Sequence, residues 1–200
     1  MTIAKPFIWT RGGQRLLLHR RAPIELPRIH EIGHSLSQLN RWVGWTNYPL
    51  SVAQHSVFVS FLVRREIALH GLLHDAHECV IGDVNSPVKR WLDSSRLVRL
   101  AMNFDRDCAQ LFGLRELTPA EEQELRLADL LAAHEEARLV IGVSDAELRE
   151  HFGDPSDIHV AEMLSRLPAP SSVMLSEMYW REAQEAFLRR HDSLIGPPAA

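Results

Sequence analysis

From Glu31 to His191 the sequence divides into segments with helix-like start and stop signals, and this restricts the chain to a helical fold. Ser51 is a fitting N-cap for VAQHSVFVSFLVR. Thr118-Pro119, followed by Glu121 and Glu122, opens a long helix over 119–141. Between these two, IALHGLLHDAHECV reads as one helix that stops near Gly82, and VKRWL starts a short helix after Pro87. HSLSQLNRW reads as a short helix broken by WTNYPL. Further helices are expected over 94–112, 145–151 and 157–166 and through MLSEMYWREAQEAFLRRH, with PAPSS as a surface loop. Strand signals are confined to FIWTRGGQRLLL, two short strands around a Gly-Gly turn. The expected architecture is all-α: one domain with a small N-terminal β-hairpin and connector (1–27), a helical core (28–192) and a frayed tail (193–200).

Composition sets the outer limits. The chain has 200 residues, 46% of them hydrophobic, enough for one full core. A net charge of −4 argues against a partner that is a nucleic-acid polymer. No apolar run approaches the roughly 18 residues that a membrane span needs. The N-terminus has no apolar region followed by a cleavage site, and two cysteines, Cys79 and Cys108, make no disulfide framework. The expectation is a cytoplasmic protein. Eleven histidines invite a search for a metal site.

HEIGH, residues 30–34, has the spacing of a zinc protease motif. On a helix, His30 and His34 share a face and Glu31 lies between them. Its continuation does not match. Ser37 and Asn40 stand where a metzincin needs Gly and a third His, and no Glu lies about twenty residues on, as a gluzincin would need. A cap or packing role for His30 and His34 is the plainer reading.

The competing stretch is HGLLHDAHE, residues 70–78. His74 and Asp75 offer an adjacent nitrogen and oxygen donor, and Glu78 follows one turn after His74. His55 sits mid-helix among apolar residues. Asp129 is a charge inside RLADLLAAH, and a carboxylate buried there needs a partner. Together, His55, His74, Asp75 and Asp129 offer two imidazoles and two carboxylates, a set suited to one divalent transition metal ion such as Mn, Co, Ni, Fe or Zn. His70 and His134 read as packed histidines, and His77 as a neighbour of the site.

In order, these residues resemble the H…HD…D pattern of the HD-domain metal-dependent phosphohydrolases. SVAQHS, HDAHECVIGDVNSPVKR and LNRW resemble the corresponding motifs of the bacterial 5′-deoxynucleotidases, and related deoxynucleoside triphosphohydrolases of phage and bacteria look similar too. Gln54, His77 and Asn85 depart from that pattern, Asn85 within the presumed substrate loop. The resemblance implies metal ligation by His55, His74, Asp75 and Asp129, and water activation by Glu78. It implies phosphate orientation by Arg41, nucleoside packing on Trp42, and sugar contacts from Asp83, Val84, Asn85 and Ser86. Lys89 adds a point charge. Trp45 and Tyr48 are pocket-wall candidates.

The function so implied is hydrolysis of deoxyribonucleoside 5′-monophosphates to nucleoside and phosphate. The runner-up releases triphosphate from deoxynucleoside triphosphates, with Arg11, Arg15, Arg20, Arg21 and Arg28 available for a longer cationic trough. A non-catalytic nucleotide-binding module and a zincin-like protease are the remote alternatives. Relatives of this type assemble as dimers or larger, which implies a homo-oligomer.

Overall fold

A computed structural model describes residues 7–18, 27–92, 95–152 and 158–196. The chain is helical apart from one antiparallel hairpin, β1 (Phe7–Trp9) and β2 (Arg15–Leu17), paired from Phe7↔Leu17 to Trp9↔Arg15. Gly13, with φ 75°, supplies the left-handed turn residue between them. The connector expected over 20–27, with Arg20 and Arg21, lies outside the described residues except for Pro27; of the tail expected over 193–200, residues 193–195 are helical instead and 197–200 lie outside the described residues.

Helix α1 (Ile29–Leu36) is followed by a 3₁₀ turn, Arg41–Gly44, and by α2 (Val52–Leu62). Then come a 3₁₀ turn at Arg65–Ile67, α3 (Ala68–Leu73), α4 (Glu78–Ile81), α5 (Ser86–Trp91) and α6 (Ser95–Leu111). Helix α7 (Pro119–Glu136) runs into a π turn, Ala137–Ile141, and α8 (Asp145–Phe152), α9 (Ile158–Ser165), α10 (Ser171–Met174) and α11 (Trp180–Ile195) complete the chain.

Helix α2 organises the rest. Apart from Gln54 and His55 its side chains are apolar or small, and His55, Phe58, Val59 and Leu62 are fully buried. A helix of that kind has to be enclosed by others. Helices α3, α7 and α11 pack around it, with α1 and α9 adding smaller contacts. Phe58, Val59 and Leu62 join Leu131, Ala132 and Leu175 in one apolar cluster. Val52 and Ala53 join Ile32, Leu36, Leu72 and Phe187 in another. Gly71 lets α3 approach α2 closely: a Cβ there would stand 3.0 Å from Ser60 Cα.

The two strongest cap signals hold. Ser51 Oγ accepts from Gln54 N, and Thr118 Oγ1 accepts from Glu121 N while Glu121 reaches back to Thr118 N. Other segments differ from the sequence expectation. HSLSQLNRW is not one helix: α1 starts earlier and ends at Leu36, and Asn40 pairs across to Ser51 in an isolated bridge. IALHGLLHDAHECV is broken at residues 74–77, where amides bond three residues back, as in Ala76 N to Leu73 O and Glu78 N to Asp75 O. The 119–141 helix changes pitch after Glu136. MLSEMYWREAQEAFLRRH begins its long helix only at Trp180, where Glu182 bonds Tyr179 N, and Ser171–Met174, placed partly in a loop from sequence, forms a short helix. No helix among the described residues is long and apolar enough to cross a membrane.

Candidate metal centre

His55, His74, Asp75 and Asp129 converge from α2, the end of α3, the turn after it and α7, and each offers a ligand atom within 4.8 Å of the others. His55 Nε2 lies 3.1 Å from Asp129 Oδ1, 3.3 Å from His74 Nε2 and 3.6 Å from Asp75 Oδ2. His74 Nε2 lies 3.2 Å from Asp75 Oδ2 and 3.7 Å from Asp129 Oδ1. Metal–ligand bonds of about 2.0–2.2 Å put neighbouring ligand atoms about 3 to 3.6 Å apart, so the spacing suits one small cation.

The break after Leu73 makes this convergence possible. In a regular helix, adjacent side chains point about 100° apart. Tightening the backbone at 74–77 turns Asp75 towards His74, and the His74 ring bonds back to the Gly71 carbonyl at 2.8 Å.

The hydrogen bonds also fix what the cluster lacks. A carbonyl can only accept, so His74 Nδ1 donates to Gly71 O. His55 Nδ1 lies 2.6 Å from Glu136 Oε1 and donates there. In neutral rings both Nε2 atoms are then lone pairs, facing two carboxylates that also only accept. Four acceptors meet without a donor, an arrangement that needs protons or a cation. Burial and Arg41 push His55 down, but Glu136 and Asp129 outweigh them and its proton affinity is raised. Burial likewise opposes the charged forms of His74 and the two carboxylates. Asp75 and Asp129 nevertheless hold His74 well above the ordinary histidine range, and the histidines hold Asp75 and Asp129 far below theirs. These groups can hold a metal ion.

Glu136 escaped the sequence reading, although it lies seven residues after Asp129, two turns along the same face of α7. It is fully buried. Its Oε1 accepts from His55, and its Oε2 accepts from Arg41 Nε at 2.8 Å and from Trp42 Nε1 at 3.0 Å. Burial raises its carboxyl, and the charges of Arg41 and His55 bring it below the usual value. The two bonds anchor an unusual turn: Trp42 and Val43 have φ of 58° and 54°, a strained region for a β-branched residue. Arg41 also places Nη1 3.7 Å from Asp75 Oδ2.

Glu78 is buried at the start of α4. Its Oε1 is 3.8 Å from Lys89 Nζ, and Oε2 has no hydrogen-bond partner among the described residues. Burial, with the Asp75 and Asp83 charges, pushes its carboxyl up to about 9. Asp83 is raised by burial too, against the pull of Arg41 and Lys89. Asp83, Val84 and Asn85 are half-buried in the segment between α4 and α5, and Ser86 is exposed.

The remaining candidates fall outside this four-ligand group. His30 is exposed, and His34 bonds Gln38 and Arg11 and packs edge-on to Trp180. Among the described residues, His30, Glu31 and His34 are not a group close enough to share a cation. His70 donates from Nε2 to the Arg115 carbonyl, and His77 Nδ1 bonds Asp105 Oδ1 at 3.0 Å. Trp45 is exposed, and the Tyr48 hydroxyl bonds the Leu175 carbonyl.

Fold and site together define an all-α protein with a two-histidine, two-carboxylate centre fit for a metal ion. No family model matches the sequence. The chain is 33% identical over 199 residues to the uncharacterized protein RCAP_rcc00048 of Rhodobacter capsulatus, covering 94% of this chain and 95% of that protein. It is 34% identical over 110 residues to the uncharacterized protein YfdR of Escherichia coli, covering 55% of this chain and 59% of that protein. The chain belongs to the family of the Rhodobacter capsulatus protein.

Proposed function

We propose that the protein is a metal-dependent nucleotide phosphohydrolase of the HD-domain type, acting on deoxyribonucleoside 5′-monophosphates. The observation that carries this reading is the meeting of four acceptor atoms from His55, His74, Asp75 and Asp129, with both histidines' other ring nitrogens already committed. A divalent ion held there lowers the pKa of bound water and polarises a phosphoryl oxygen.

The chain's own residues supply the rest. Glu78 is buried beside the cluster with one oxygen unpartnered, and its strong affinity for a proton suits it to take one from the attacking water. Its burial beside Asp75 means that positive charge at the centre is needed before it becomes a base at neutral pH. Arg41 is held rigidly through Nε by Glu136, leaving its Nη groups to turn towards a phosphate. Trp42, pinned through its indole N–H, offers a ring face to a base or sugar. Asp83 can accept from a sugar hydroxyl.

Arg41 and Lys89 stand at the acidic cluster at 3.7 and 3.8 Å from Asp75 and Glu78. A pair of cations over a short site suits one phosphate, and this favours the monophosphate over the triphosphate. Metal analysis of the purified protein, with product separation after incubation with dAMP or dATP and added Mn or Co, tests the reading. Expected are bound metal, and deoxyadenosine with phosphate from dAMP. Triphosphate from dATP without turnover of dAMP would transfer the assignment to the triphosphohydrolase class. Nucleotide binding without turnover would indicate a non-catalytic module.

A further inference from the structure

We propose that a second divalent cation binds at Asp75, His77 and Glu78, beside the four-ligand centre, with Asp75 shared between the two seats. The inference rests on the metal centre of the preceding reading and is independent of which nucleotide, if any, is the substrate.

Each of these three residues offers a ligand atom within 4.8 Å of the other two. All three lie in the tightened turn 74–77 or at the first residue of α4, so the backbone that aims Asp75 at His74 also gathers this second group. Two independent features point to a ligand. Glu78 is 3% exposed, and its Oε2 has no hydrogen-bond partner among the described residues. An orphaned buried carboxylate oxygen is costly, and a bound cation removes that cost. His77 donates from Nδ1 to Asp105 on α6, leaving Nε2 with its lone pair in the neutral ring. A carboxylate behind the far nitrogen is the arrangement that orients metal-ligating histidines. Asp75 Oδ2 faces His55 and His74, and a carboxylate has a second oxygen with which to reach a neighbouring ion.

Charge balance agrees. Asp75, Glu78, Asp83, Asp129 and Glu136 are five carboxylates that interact with one another or with Arg41, and Arg41 and Lys89 are the two cations among them. With every carboxylate ionised, that leaves three negative charges. One divalent ion reduces them to one, which would repel a phosphate dianion. A second ion offsets what remains, Asp105 behind His77 included, and lifts that repulsion. A cation beside Glu78 Oε2 keeps that carboxylate ionised, the form in which the preceding reading needs it to take a proton.

Calorimetric titration of the chelator-stripped full chain with Mn²⁺ alone, checked by elemental analysis after dialysis, tests the proposal. The wild type is expected to take two Mn²⁺ per chain, the second more weakly, with the magnetic coupling of a bridged pair in its electron paramagnetic resonance spectrum. His77→Ala and Glu78→Gln should each bind one Mn²⁺ and lose the coupling. The helical circular dichroism of the two variants confirms folding. One Mn²⁺ per wild-type chain, with the same isotherm in a folded His77→Ala or Glu78→Gln protein, would overturn the second seat and leave the four-ligand centre standing. No bound Mn²⁺ in the wild type would overturn both.

Discussion

Glu136 accepts the Nδ1 proton of His55 through one oxygen and holds Arg41 through the other, at 2.6 and 2.8 Å. One buried carboxylate thus sets the orientation of a metal ligand and of the guanidinium beside it. Glu136→Gln should weaken metal binding by about 10- to 100-fold, as measured by competition with a chromophoric chelator. Glu136→Ala leaves Arg41 buried without its main counter-charge and should cost about 3–5 kcal/mol in denaturant unfolding. Unchanged metal affinity in Glu136→Gln would show that His55 does not depend on this partner.

Asp129→Ala and Asp75→Ala each remove an acidic donor from the four-ligand centre. Metal content and phosphate release should fall together in both variants. Glu78→Ala should keep the ion of the four-ligand centre yet lower turnover by about 10² or more. Normal turnover in that variant would remove Glu78 from the proton-transfer role.

Gly71 admits no side chain without displacing α2. Gly71→Ala places a methyl group 3.0 Å from Ser60 Cα and 3.2 Å from Val63 Cγ2. A loss of about 1–3 kcal/mol in urea unfolding is expected, since the atom first met is backbone. The strain lies one turn before His74, so metal affinity should drop as well.

Acid should destabilise the α7 end of the molecule. Burial raises Glu124, but bonds from Arg64 and Arg166 outweigh it and leave its carboxyl below the usual value; the bond from Arg115 and the Thr118 cap do the same for Glu121. A depressed carboxyl contributes stability above its unfolded pKa of about 4.3, and that contribution disappears as pH falls further. Glu124→Gln should therefore reduce stability at pH 7 and flatten the decline below about pH 4, read from urea midpoints across the range. An acid limb parallel to the wild type would contradict it.

What was legible in the sequence was whatever a local signal writes down. Ser51 and Thr118 announce their helices with side chains that satisfy the first free amides, and Asp129 stands out because a charge inside RLADLLAAH needs a partner. The break at 74–77 was not legible. HGLLHDAHE has helical periodicity, and the interruption depends on His74 bonding back to Gly71 and on helix packing around it. Glu136 carries the same kind of signal as Asp129, but it sits beside Glu135 at a helix end, where acidic residues are ordinarily solvated. Nor does N-R-W announce positive φ at Trp42 and Val43, a conformation held by bonds to a residue more than ninety positions away.

Helix α2 is enclosed along most of its surface, and His55 lies in its first turn. The amides flanking that histidine belong to the part of the molecule that opens last, so their exchange with deuterated solvent should require global unfolding. Asp129 is the half-exposed ligand of the centre, so an ion held there can exchange past it while the amides beside His55 stay protected.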